Sequence, residues 1–167
     1  MDIVKKFVIA DPHFYDKNIK LYENRKITDD KMISLWNETV GPQDIIYILG
    51  DFANGNLETI KNLVSQLNGY KILIKGNHDG FLNQINWRDY FDKVCDYLKI
   101  KDNGRDVVLM HYPIEEWDGF FRGSYHLYGH VHNNDNGLRK IEKRYNVGVD
   151  VNDFEPKTLD ELIERNK

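Results

Sequence analysis

Apolar and polar positions alternate in blocks along the first half of the chain. Three short runs, "KFVIAD" (Lys6 to Asp11), "DIIYILGD" (Asp44 to Asp51) and "KILIKGN" (Lys71 to Asn77), are continuously apolar and end in a carboxylate, glycine or amide. Such runs predict strands buried on both faces, each passing to polar chemistry at its carboxyl end. Between them lie two amphipathic patterns. Thr28 can cap a helix with Met32, Ile33, Trp36 and Val40 on one face, and Asn56 one with Leu57, Ile60, Leu63, Val64 and Leu67, stopped by Gly69. The order strand, helix, strand, helix, strand predicts right-handed parallel pairing, with ligands at the strands' carboxyl ends.

The second half reads differently. "YLKIKDNGRDVVLMHYP" predicts a hairpin turning at Asn103-Gly104, with strands near Asp96 to Lys101 and Arg105 to Met110. Further strands are expected in "SYHLYGHV" and "KRYNVGVD", and a last helix begins at Thr158, with Glu161 at capping-box spacing. The aromatic loop from Pro113 to Gly123 is a candidate substrate wall. No repeat or linker divides the chain, so residues 1–167 read as one α/β domain: a two-sheet β sandwich flanked by helices.

A chain of 167 residues with 41% hydrophobic content can bury a sizeable core. Its net charge of −4 offers no basic field for long nucleic acid or an anionic membrane. Cys95 is the only cysteine, which excludes an internal disulfide and a four-sulfur zinc site and fits a reducing compartment. "KKFVIAD" is too short in apolar residues for a signal-peptide core or a membrane span, so a cytoplasmic protein is expected.

The chemistry concentrates at the strand ends. Asp11-Pro12-His13, Gly50-Asp51, Gly76-Asn77-His78-Asp79, His111 and Gly129-His130-Val131-His132 carry five of the six histidines. Imidazole nitrogen with carboxylate and amide oxygen suits Mn, Fe, Ni, Zn or Mg. Seven candidate ligands (Asp11, His13, Asp51, Asn77, His111, His130 and His132) are too many for one tetrahedral ion. They suit two divalent ions about 3.5–4 Å apart sharing a bridging carboxylate. Two such ions outweigh Asp11, Asp51 and a bridging hydroxide in charge, and the surplus favours a phosphate ester. Neutral Asn77 preserves that surplus.

The ordered set D-x-H, G-D, G-N-H-D, H and G-H-x-H, from Asp11 to His132, resembles the calcineurin-like metallophosphoesterase superfamily. "DPHF" and "WNETV" are most similar to its small uncapped bacterial and phage phosphoesterases. The resemblance implies one metal on Asp11, His13, Asp51 and His132, and another on Asp51, Asn77, His111 and His130, so that Asp51 bridges. It places His78 beside the scissile ester as a catalytic group that is not a metal ligand. Asp79 would orient the His78 imidazole and favour its protonated form. "GDFANGN" and "GNHD" depart from the patterns of the phosphoprotein phosphatases, and Asn54 stands where purple acid phosphatases carry a tyrosine ligand. The length leaves no room for the caps of the superfamily's DNA-processing nucleases.

Outside the motifs, Arg25 and Arg122 are candidate donors to a diester's non-bridging oxygens, as Phe14 and Tyr112 are candidate substrate contacts, although the aromatic set also suits core packing. His126 and Tyr128 are expected to be structural. The function expected is hydrolysis of a small phosphoester, a phosphodiester or nucleotide derivative, by in-line attack of a metal-bridging hydroxide. A phosphomonoesterase or nucleotide pyrophosphatase on the same centre is the alternative within enzymes, and a non-catalytic interaction scaffold the alternative outside them.

Overall fold

The computed structural model describes residues 2–135 and 137–167. The first three apolar runs become β1 (Lys6–Ile9), β2 (Ile45–Ile48) and β3 (Tyr70–Ile74), joined by α1 (Lys17–Tyr22), α2 (Asp29–Thr39) and α3 (Leu57–Gln66). A short β4 (Lys93–Cys95) completes a parallel sheet in the order β1-β2-β3-β4. The second sheet holds β5 (Leu98–Asp102), β6 (Arg105–Leu109), β7 (Tyr125–Tyr128) and β8 (Arg144–Asn146), in that order. Only its β5-β6 hairpin is antiparallel. Asn103 and Gly104 make the hairpin turn with φ of 48° and 78°, the left-handed backbone a two-residue turn demands.

Period-two alternation explains why β1 and β2 are apolar throughout. Phe7, Ile9, Ile46 and Ile48 pack with Met32, Trp36, Ile60 and Leu63 of α2 and α3. Val8, Ala10, Tyr47 and Leu49 point the other way, against Val107, Leu109, Leu127 and Val147 of the second-sheet region. Leu159 and Leu162 of α4 (Leu159–Arg165) join that second cluster. Each fully buried aliphatic side chain contributes roughly 1.5–3 kcal/mol. The expected caps are present: Thr28 accepts from the Lys31 amide at 3.1 Å, Asn56 from Thr59 at 2.8 Å, and Thr158 with Glu161 forms a capping box.

Two features bring the strand ends together. The Ala10 amide donates to the Val147 carbonyl at 3.1 Å and the Val149 amide to the Ala10 carbonyl at 3.0 Å, pinning the end of β1 to the segment after β8. Asp11 thereby sits beside residues from both sheets. Elsewhere, Trp117 packs on His126 with rings 5.3 Å apart, and its indole donates to the Ser124 hydroxyl at 3.0 Å. His126 lies on the face of β7 opposite Leu127, where Trp117 packs with Phe120 against it, while Phe121 of the same loop is exposed.

His126 is structural, as its position suggests. Its Nε2 accepts the Ile114 amide at 2.9 Å, which leaves Nδ1 to donate to the Val108 carbonyl at 3.1 Å. Burial pushes its pKa from 6.5 down to about 4. Between those values the unfolded chain binds a proton here that the folded chain refuses, so stability is lost as pH falls through the window. The full loss is on the order of 3 kcal/mol. His126→Gln is expected to flatten the fall in urea midpoint between pH 7 and pH 4, measured on chelated protein. An unchanged slope would count against this role.

Candidate metal centre

The loops that leave the strands are shaped for ligands before any ion is considered. Asp11, His13, Asp51, His130 and His132 all have left-handed backbone, with φ of 54°, 45°, 54°, 73° and 52°. That conformation costs a residue with a side chain ~1–2 kcal/mol and survives where the surroundings over-determine it. Glycines make the space. A Cβ on Gly76 would lie 2.3 Å from Asp51 Oδ1, one on Gly50 2.4 Å from His111 Nδ1, and one on Gly129 2.6 Å from Asp11 Oδ2.

Two groups of ligand atoms result. Asp11, His13 and His132 form one and Asp51, His111 and His130 the other, with the atoms of each group within 4.8 Å of one another. Asp51 Oδ2 lies between them, 3.4 Å from His13 Nε2 and 3.5 Å from His111 Nε2. Asn77 Oδ1 is 3.0 Å from His111 Nε2 and 3.0 Å from His130 Nδ1. All seven predicted ligands are thus brought together.

The donor set passes a specific test of fit. Asp11 Oδ1 and His13 Nε2 are buried with no hydrogen-bond partner, a costly state that a cation between the ligands would satisfy. Burial pushes the Asp11 carboxyl up to about 8, and a divalent ion would restore its charge. For Asp51, burial again acts upward, but His13, His111 and the His78 amide outweigh it and hold the carboxyl below its ordinary value. His111 points Nδ1 at the Leu49 carbonyl at 2.7 Å, which fixes its tautomer and frees Nε2. His13 Nδ1 lies 3.5 Å from Asp16 Oδ2, and His132 Nδ1 lies 2.8 Å from Asp150 Oδ2.

The remaining predicted residues divide. His78 is exposed at the mouth, its ring 5.3 Å from that of His13, and its amide donates to Asp51 Oδ1 at 2.8 Å. Tyr112 is 39% exposed, with its ring 4.9 Å from His111 and 4.8 Å from His130. Three expectations are corrected. Asp79 does not orient the His78 imidazole: its buried carboxylate accepts the amides of Asp51, Phe52 and Gly76 at 2.9, 2.9 and 2.7 Å, binding two ligand loops together. Arg25 is not open to substrate, because its buried guanidinium forks Asp150 and donates to the Pro12 and Asp11 carbonyls. Phe14 is core, packed against Trp36 and Phe52 at 6.3 and 5.8 Å. Arg122 is exposed at the surface, 3.4 Å from Asp118.

Asp150 lies in the site, between His132 and Arg25, and the motifs did not mark it. Burial acts to raise its carboxyl, but His132 and Arg25 outweigh that and hold it at about 2. A signal for it existed: "VGVD" is an apolar run ending in a carboxylate, the same pattern that marks Asp11 and Asp51.

A centre of this kind on two packed sheets defines a metallophosphoesterase-type fold. The chain matches the calcineurin-like phosphoesterase family model over residues 5–151, and it belongs to that family. It is 31% identical to the uncharacterized protein MJ1445 of Methanocaldococcus jannaschii, across all of this chain and 96% of that one. The gene 66 protein of Mycobacterium phage D29 is 28% identical over 62% of this chain and 65% of its own length. Among solved structures, the protein of unknown function AQ665 from Aquifex aeolicus superposes with a TM-score of 0.79 at 26% identity, covering 99% of this chain and 100% of that one. No helix among the described residues is long and apolar enough to cross a membrane.

Proposed function

We propose that this chain hydrolyses small phosphodiesters, nucleotide derivatives among them, at a centre holding two divalent ions. The observation that carries the reading is Asp51 Oδ2 standing between two ligand groups, 3.4 and 3.5 Å from a histidine of each. Bound there, the ions would supply an acidified water and positive charge against the phosphoryl oxygens.

The residues divide the remaining work. Asp11 and Asp51 are the only carboxylates among the seven ligands, and Asn77 completes the set without cancelling charge. His78 stands clear of both ligand groups, which supports giving it the role of donating a proton to the leaving oxygen. Tyr112 offers an aromatic edge beside His111 and His130 to the organic part of an ester. Asn77 and His78 are both exposed, so both organic groups of a diester, the one that leaves and the one that stays on phosphorus, can project from the mouth. This openness favours a diester over a monoester or pyrophosphate. The ligand set is complete, which argues for an enzyme over a scaffold, and the net charge of −4 argues for a small ester over long nucleic acid.

The test is paired turnover of bis(p-nitrophenyl) phosphate and p-nitrophenyl phosphate by chelated protein reloaded separately with Mn, Fe, Ni, Zn or Mg. With at least one metal the diester should be hydrolysed with the higher kcat/KM. Faster monoester turnover with every metal would overturn the diester preference, and no hydrolysis with any would overturn the hydrolase reading.

A further inference from the structure

The two ligand groups differ in what stands behind them. In the group of Asp11, His13 and His132, Asp11 and His13 are buried and His132 is half-buried. Behind His132 lies Asp150, whose Oδ2 accepts from Nδ1 at 2.8 Å. Arg25 then locks that carboxylate with a two-pronged contact: Nε to Oδ1 at 2.7 Å and Nη2 to Oδ2 at 2.7 Å. The same guanidinium donates from Nη1 to the Pro12 carbonyl and from Nη2 to the Asp11 carbonyl, both at 2.7 Å. One buried cation therefore ties the backbone of the first ligand loop to the carboxylate that orients a ligand 121 positions further on.

The other group is supported through its backbone: the buried Asp79 carboxylate accepts the amides of Asp51, Phe52 and Gly76. Asp51 and His111 are as buried as Asp11 and His13, and His130 is half-buried like His132, but His111 is backed by the neutral Leu49 carbonyl at 2.7 Å, and Asn77 is neutral and exposed. A carboxylate behind a ligating histidine fixes the ring and raises its basicity, and an arginine fork suits a carboxylate's geometry better than any other side chain. A backbone carbonyl fixes the ring but brings no charge. Water also competes more readily with an exposed neutral ligand such as Asn77.

We infer that Arg25 and Asp150 are positioning residues that make the Asp11–His13–His132 half the tighter of two metal sites, so that the protein carries one firmly held ion and one that exchanges. The inference rests on the two-ion reading above. It also accounts for Glu23, which groups with His132 and Asp150 as a third set of possible ligands. Both oxygens of Asp150 are already engaged by Arg25, so this set serves as support for His132 and not as a third ion site.

The test is a titration of chelated full-length protein with Mn(II), following the free ion by electron paramagnetic resonance. Wild type should show two classes of site, one tight and one weak. Asp150→Asn should weaken the tight class by ~10–100-fold, the usual effect of losing such a partner, and leave the weak class unchanged. Arg25→Lys keeps the charge but loses the fork; it should weaken the same class by less, and it carries the test if Asp150→Asn does not fold. His130→Ala should remove the weak class and spare the tight one. A variant that weakens both classes equally, or neither, would overturn the inference. A wild type that binds fewer than two ions would overturn the two-ion reading instead.

Discussion

Asp51→Asn is expected to leave the protein folded but unable to keep two metal ions. The substitution preserves shape, and the His78 amide, 2.8 Å from Asp51 Oδ1, requires an oxygen at that position. The new amide nitrogen must therefore take the place of Oδ2, the atom that lies 3.4 Å from His13 Nε2 and 3.5 Å from His111 Nε2. A donor would then face both ion sites where a shared negative charge is needed. Since partners one layer further out are worth ~10–100-fold in metal affinity, loss of the bridging ligand should exceed a hundredfold. Bound metal measured at equilibrium with a free Mn(II) concentration that loads both wild-type sites, with a thermal unfolding curve to verify folding, decides it. Two retained equivalents would remove Asp51 from the bridging role.

His78→Ala should have the opposite signature: both ions kept, turnover lost. The His78 side chain belongs to neither ligand group, and its ring contact in the site is with His13 at 5.3 Å. General acid catalysis contributes ~10²–10⁴-fold, so diester turnover should fall within that range. The loss should be larger for an alkyl leaving group, which needs the proton, than for p-nitrophenolate, which leaves readily without it. Equal turnover by variant and wild type on both esters would sink the role.

The sequence made the frame of this protein legible where a local rule governs it. Thr28, Asn56 and Thr158 cap helices because a side-chain oxygen beside a free amide needs no tertiary partner. Asn103-Gly104 turns the hairpin for a similarly local reason. By contrast β4 has three residues, too few for a pattern, and α1 buries none of its six, so it shows no apolar stripe. The clustering of the candidate ligands was legible because they follow apolar strands, whose ends converge in a parallel sheet.

The supporting residues were read less well, for one physical reason. Arg25 and Asp79 are charged residues in loops, and from sequence such residues suggest contact with substrate. Burial decides otherwise. Arg25 is enclosed between Asp150 and two carbonyls, and Asp79 spends its carboxylate on three amides of the ligand loops. Neither partner set could be found by spacing, since Arg25 meets Asp150 across 125 positions and Asp79 meets Asp51 across 28. Arg25, Asp79 and Asp150 thus hold the loops of the candidate ligands from behind.

The central claim is that two ions act together at the shared Asp51. It is tested most directly by adding Mn(II) stepwise to chelated protein while recording diester hydrolysis and bound metal in the same samples. The account predicts little turnover with one equivalent bound and a steep rise as the second binds. Full turnover at a single equivalent, or two bound equivalents with no hydrolysis of any diester, would contradict it.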